Sequence, residues 1–197
     1  MWDVAEEPSL TPLAATRHRL GRGAWVDHLP GWVQGSDAVL EVLLGDIGWR
    51  ADRRQMYDRE VAVPRLLRWY GRGEALPHPL LTEARQALDV HYAAELGEPF
   101  VSAGMCLYRD GRDSVAAHND HLDEIAPGFP IVLLSLGATR RMTIRAKAAP
   151  RRVIHVDLEA GSLLSMSYET QIHYTHGVPK TAEPVGPRIS LAFRVRP

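Results

Sequence analysis

A chain of 197 residues, 45% hydrophobic and 24% charged, has the composition of one ordinary globular domain, and at that length about 70% of the unfolded chain's surface can leave water without a disulfide or metal staple. A single cysteine, Cys106, excludes an intramolecular disulfide and a multi-cysteine zinc site. A formal net charge of −1 excludes any global attraction to nucleic acid, so such a partner has to be held by a local patch. The N-terminus carries Asp3, Glu6 and Glu7 where a signal peptide needs a basic start and an apolar run. The apolar stretches fall far short of the ~20 residues that cross a bilayer. A monomeric cytoplasmic protein without membrane contact is the expectation.

In chain order, residues 36–47 read as a short amphipathic helix with Ser36 as N-cap and Val39, Leu40, Val42 and Leu43 near one face. A basic and aromatic stretch over 48–71 follows, with Trp69 and Tyr70 read as core residues. A second helix is predicted over 79–96, where Leu80, Leu81, Ala84, Ala87, Leu88, His91, Tyr92 and Leu96 recur at helical spacing before Gly97-Glu98-Pro99 stops it. From Phe100 onward short β-type runs alternate with Gly, Pro and Asp turns: 103–108, 131–136, 141–145, 152–158, 162–167 and 189–195. One domain is expected over 1–197, mainly β with α: a helical N-terminal layer over 1–99 and a β sandwich or barrel over 100–197.

Two groups of residues carry chemistry. In Ala117-His118-Asn119-Asp120-His121, His118 and Asp120 are two apart, so an extended backbone points both to one side, where they can meet one ion. A third ligand is available from Gln171-Ile172-His173-Tyr174-Thr175-His176, as either His173 or His176. Two histidines and a carboxylate on one face of an ion form the set that non-haem Fe(II) oxygenases use. In the tail Arg188-Ile189-Ser190-Leu191-Ala192-Phe193-Arg194, both arginines share one strand face while Ile189, Leu191 and Phe193 take the other. Two guanidinium groups turned into a barrel need an anion, and the small Ser190 and Ala192 leave room for a dicarboxylate.

These residues resemble the AlkB-type Fe(II)/2-oxoglutarate-dependent dioxygenases, from about Gly48 to Phe193. The likeness is carried by an ordered series: Tyr108-Arg109-Asp110-Gly111, His118-Asn119-Asp120, Ala126-Pro127-Gly128-Phe129-Pro130-Ile131, Ser135-Leu136-Gly137, Gly161-Ser162-Leu163-Leu164, Tyr174-Thr175-His176-Gly177-Val178-Pro179, then Arg188 and Arg194. The resemblance implies a double-stranded β-helix, or jelly-roll, core with a nucleotide-recognition lid, and Fe(II), 2-oxoglutarate and O2 as cofactor and cosubstrates. It implies His118, Asp120 and His176 as catalytic iron ligands, His176 being preferred to His173 because the family's distal histidine stands just before a Pro-containing turn. Tyr108 and Arg188 would hold the far carboxylate of 2-oxoglutarate, and Arg194 its metal-bound end. Cys106 and Ser190 stand where members often have asparagines that contact the cosubstrate.

The implied activity is oxidative removal of alkyl groups from bases in DNA, or RNA, with the base flipped into the iron pocket. Trp49, Met56 and Tyr57 are the candidates for base contact. Leu122 occupies the place of a common acidic base-reader, which makes Asp123 the candidate for that role. Arg140, Arg141, Arg145, Lys147, Arg151 and Arg152 form a basic cluster that could follow a phosphate backbone. Two other readings stay open: the same chemistry on a modified tRNA base or a small molecule, and a non-catalytic nucleic-acid-binding jelly roll.

Overall fold

The C-terminal strand Arg188–Arg194 lies inside an eight-stranded antiparallel sheet, paired on one side with Ser102–Tyr108 and on the other with Ile131–Gly137. Its alternation explains the layers around it. Ile189, Leu191 and Phe193 are completely buried on one face, while Arg188, Ser190, Ala192 and Arg194 take the other.

The computed structural model describes residues 7–45, 47–56, 59–95, 97–120 and 127–196. Among them the order is β1 (Ser9–Leu10), β2 (Thr16–Gly21), β3 (Ala24–Leu29), β4 (Val33–Gln34), α1 (Ser36–Leu44), β5 (Arg50–Met56), β6 (Arg59–Tyr70), α2 (Pro79–His91), β7 (Ser102–Tyr108), β8 (Val115–His118), β9 (Ile131–Gly137), β10 (Arg140–Ala146), β11 (Val153–Leu158), β12 (Ser162–Met166), α3 (Tyr168–His173), β13 (Tyr174–Val178) and β14 (Arg188–Arg194). The large sheet runs β2-β3-β12-β9-β14-β7-β6-β5, and a smaller one runs β11-β10-β13-β8. Two sheets facing each other in this way form the expected jelly roll.

Two apolar layers follow. On one side of the large sheet, Val39 and Leu43 of α1 and Leu80, Leu81, Ala84 and Leu88 of α2 pack on Ala103, Met105 and Leu107, Val132, Leu134 and Leu136, and Ile189, Leu191 and Phe193. Each of the valine, leucine, isoleucine, methionine and phenylalanine side chains contributes about 1.5–3 kcal/mol on burial. On the other side, Tyr108, Ile131, Leu133, Leu164 and Met166 meet Met142, Ile144, Tyr174 and Val178 of the small sheet, which fills the space between the sheets. β9 is buried on both faces, so it reads as a continuous Ile-Val-Leu-Leu run without alternation.

The N-terminal part is less helical than its sequence suggests. It holds α1 and α2, but β2, β3, β5 and β6 extend the large sheet at both ends. The β2–β3 hairpin turns through Gly21, Arg22 and Gly23, all with positive φ. β2 itself is mostly exposed and polar, so no apolar alternation announces it. α1 stops at Gly45, with Gly35 rather than Ser36 as its N-cap. α2 ends at His91 because Tyr92 leaves the helix for the core, where its hydroxyl donates to Asp27 Oδ2 at 3.1 Å and bonds Ser165 Oγ at 2.6 Å.

Candidate active site

His118 ends β8 and His176 is the third residue of β13, and the antiparallel register places them directly opposite each other. Their ring centroids are 4.5 Å apart. The strands approach this closely because Gly177 follows His176: a Cβ there would stand 2.9 Å from the Val115 carbonyl oxygen. Beyond His118 the chain is pinned by two bonds. Asn119 Nδ2 donates to the Tyr174 carbonyl, and the Asp120 amide donates to Gln171 Oε1 at 3.2 Å. Asp120 Oδ2 thereby comes to 3.5 Å from His176 Nε2, while Oδ1 accepts from Arg194 Nη2. Gln171, on α3, is a positioning residue that the sequence reading missed; only the tertiary fold reveals it.

The environment suits cation binding. His118 Nδ1 lies 2.9 Å from the Ala116 carbonyl, to which its N–H donates, leaving Nε2 with a lone pair. Burial pushes the His176 imidazole down to about 4; Asp120 opposes that fall, while His118 and Arg194 add to it, so the ring is neutral at pH 7. Two imidazoles and one carboxylate match the donor set of a facial Fe(II) site. Among the described residues no three His, Cys, Asp or Glu side chains already close into an ion cage. The three meet pairwise through His176, and the carboxylate turns one oxygen to a guanidinium, which shows its demand for a cation.

A second demand lies behind them. Arg188 is completely buried; its Nε donates to Ser135 Oγ at 2.8 Å, and both Nη1 and Nη2 lack a hydrogen-bond partner. Burial pushes this guanidinium down from its ordinary value, against the pull of Tyr108 and Cys106, and pushes the Tyr108 phenol up to about 12. The guanidinium carbon lies 5.2 Å from the Tyr108 ring centre. A buried cation with two idle donors costs free energy until an anion meets it, and a carboxylate fits the guanidinium fork. On the same sheet face, Ser190 is paired with Cys106 and Ala192 with Gly104, so small side chains leave space there.

The base-contact candidates fare differently. Trp49 donates from Nε1 to the Leu43 carbonyl at 2.9 Å and packs with the helical layer, on the side of the sheet away from His118, Asp120 and His176. The structure therefore does not bring it to the site. The Met56 side chain, Tyr57 and Asp123 lie outside the described residues. Trp69, read as core from sequence, is 40% exposed on the site's face of β6, whereas Tyr70 is buried. It faces Gly104, where a Cβ would sit 2.8 Å from its ring, and its ring centre lies 5.9 Å from the Arg194 guanidinium. The small partner across the strand pair is the signal that makes room for it.

The basic cluster also divides. Arg140 is buried and belongs to the interior, and Arg141 is bound bidentately to Asp157 at 2.7 and 3.0 Å. Lys147 caps α3 through the Gln171 and Ile172 carbonyls. Arg145, Arg151 and Arg152 stay exposed at the β10–β11 turn. Beside that turn, a surface cleft of about 310 Å³ is bordered by Arg22, Lys147, Arg152, His173 and Tyr174. It contains none of the three iron-ligand candidates, and His173 stands in it, apart from His118.

The model of the 2OG-Fe(II) oxygenase superfamily matches residues 35–194. The chain is 32% identical over 203 residues to the human alpha-ketoglutarate-dependent dioxygenase alkB homolog 3, covering 95% of this chain and 69% of that protein. It is 32% identical over 158 residues to the human DNA oxidative demethylase ALKBH2, covering 72% of this chain and 60% of that protein. Among solved structures, OsALKBH1 superposes with a TM-score of 0.57 at 16% identity, covering 90% of this chain and 100% of that one. A prolyl hydroxylase from Trichoplax adhaerens gives 0.60 at 14%, covering 86% and 83%. At those identities the two structures speak for the fold alone.

Proposed function

Because this chain belongs to the AlkB-type 2-oxoglutarate- and Fe(II)-dependent dioxygenases, we propose that it removes alkyl groups oxidatively from nucleobases, in DNA or in RNA, as a direct reversal of alkylation damage. His118, Asp120 and His176 hold the iron in this reading. Tyr108, Arg188, Ser190, Cys106 and Arg194 surround 2-oxoglutarate. The observation that carries the reading is the buried Arg188, whose two idle Nη groups share a sheet face with Arg194, the residue that reaches Asp120. When bound, Fe(II) with 2-oxoglutarate and O2 supplies the oxidation of a C–H bond, with succinate and CO2 as products.

The chain's own residues set the stage for that oxidation. The Ala116 carbonyl orients His118, and the Gln171 amide oxygen holds the Asp120 backbone. Arg194 donates to one oxygen of Asp120 and leaves the other facing His176 Nε2. Arg188 orients the cosubstrate by its far carboxylate, and the apolar filling between the sheets excludes water behind it. Trp69 offers a flat face at the rim, where stacking a base is worth about 1–3 kcal/mol. Arg22, Arg145, Arg151 and Arg152 lie along the β2–β3 and β10–β11 turns, where cations can follow phosphates in a salt-dependent way. The single cysteine suits a reducing compartment such as the cytoplasm.

The test is succinate release by the Fe(II)-loaded chain, with and without a methylated single-stranded oligonucleotide. Stimulated succinate with formaldehyde alongside is expected. Slow succinate that no alkylated oligonucleotide stimulates would overturn the nucleic-acid substrate and leave a dioxygenase of another substrate. His118→Ala and Asp120→Ala should abolish turnover with the fold intact by circular dichroism. His176→Ala should do the same and His173→Ala should not; the reverse order would overturn the ligand assignment.

A further inference from the structure

Cys106 is half-buried on β7 and unpaired. The register sets it directly across from Ser190 on β14, with Tyr108 two residues on and directly across from Arg188. These four side chains form a block on one sheet face, because residues two apart on a strand point the same way. Diagonal neighbours in such a block have Cα atoms only about 7–8 Å apart, within reach of an arginine side chain. Arg188 is completely buried with Nη1 and Nη2 unpartnered. None of β7, β9 and β14 carries an acidic residue. Among the described residues nothing meets Nη1 or Nη2, so an anion on this sheet face, whether a ligand or a side chain of these strands turned into one, would satisfy them.

We infer that Cys106 is an oxidation site inside the 2-oxoglutarate pocket, and that its sulfinate, by pairing with the Nη groups of Arg188, excludes the cosubstrate. The inference rests on the reading of Arg188 as the carboxylate anchor. The oxidant is hydrogen peroxide. One peroxide transfers an oxygen to the thiol, its O–O bond breaks, the sulfur loses two electrons, and sulfenic acid and water result. A second peroxide repeats the transfer to give sulfinic acid and water. The sulfinic acid releases its proton to solvent and leaves one negative charge shared by two oxygens, the chemical likeness of the carboxylate it displaces. A neutral thiol offers Arg188 only a weak acceptor.

The full chain, treated with peroxide and then freed of it by catalase, is loaded with Mn(II), and 2-oxoglutarate binding is followed by calorimetry while mass spectrometry reads the Cys106 peptide. The expected result is two added oxygens on Cys106 with at least a tenfold loss of 2-oxoglutarate affinity, and protection of the thiol by saturating 2-oxoglutarate. In Cys106→Ser and Cys106→Ala the peroxide-dependent loss should disappear, whatever the starting affinity of each. A Cys106 that resists peroxide, or one oxidised with affinity unchanged, would overturn the inference alone. Untreated chain whose 2-oxoglutarate binding is indifferent to Arg188→Met would overturn the pocket reading, and the inference with it.

Discussion

Two buried arginines lie beside the ring of Tyr108, and they are opposites in chemistry. Arg140, 5.7 Å from the ring centre, donates from Nη1 to the Asp110 carbonyl at 3.1 Å and from Nη2 to the carbonyls of Asp113 and Pro179 at 2.9 and 2.7 Å. Arg188, 5.2 Å from the same ring, has Ser135 as the partner of Nε and none for either Nη. Arg140 ties the Asp110–Asp113 turn to the end of β13, so its charge is spent on holding loops. Arg188 has the same charge and comparable burial without that satisfaction. Burial of a cation is therefore no mark of function by itself; burial with donors left idle is.

The largest effect should come from removing the satisfied cation. Arg140→Met leaves three carbonyls without their donor, and breaking such a buried charged network costs about 3–5 kcal/mol. Urea unfolding should show that loss, while the 2-oxoglutarate affinity of the folded protein stays within about twofold. Next comes Arg188→Met. It forfeits one hydrogen bond to Ser135 but also relieves an uncompensated buried charge, so stability should change by less than about 1 kcal/mol or rise. Affinity for 2-oxoglutarate should fall about 10- to 100-fold, the worth of a charge-assisted bond of about 1.5–3 kcal/mol. Equal losses of stability in the two variants would erase the distinction between them.

Much of this was legible in the sequence. The parity of Arg188 and Arg194, six residues apart, with Ile189, Leu191 and Phe193 between, already separates the two faces of β14. The His118 and Asp120 spacing pointed to a shared strand face, but β8 ends at His118, and Asp120 reaches His176 through the bonds of Asn119 to Tyr174 and of its own amide to Gln171. Arg140 misled, because a basic residue in a hairpin rich in arginine reads as solvated, and its carbonyl acceptors lie about 30 to 40 residues away in sequence. Trp69 misled in the other direction: its neighbour Tyr70 is core, and a one-residue shift in a strand exchanges faces. β2 and β5 escaped because polar, arginine-rich strands at the ends of a sheet carry little apolar alternation.

The smallest effect tests the satisfied side of the comparison through pH. Asp113 is the residue whose carbonyl holds Arg140, and its carboxylate is itself held by Arg109: the backbone N–H and Nε both donate to Oδ2 at 2.8 Å, and Nη2 donates to Oδ1 at 2.9 Å. The hydrogen bonds from the Arg109 side chain, first among the causes, hold the Asp113 carboxyl below its ordinary value. A carboxyl with a lower pKa folded than unfolded contributes stability above the unfolded value, near 3.9, and loses it as pH falls through the folded value. Asp113→Asn keeps an acceptor for the backbone N–H but loses the charge. Because the Arg109 side chain is 56% exposed and screened, the loss at pH 7 should be only about 1 kcal/mol. That difference between variant and parent should shrink below about pH 4 and close as the parent's own carboxyl takes a proton. A gap in urea midpoints that persisted unchanged to about pH 2 would mean that the turn is held by its backbone alone, and that Arg140 draws its satisfaction from a loop that does not need its ion pair.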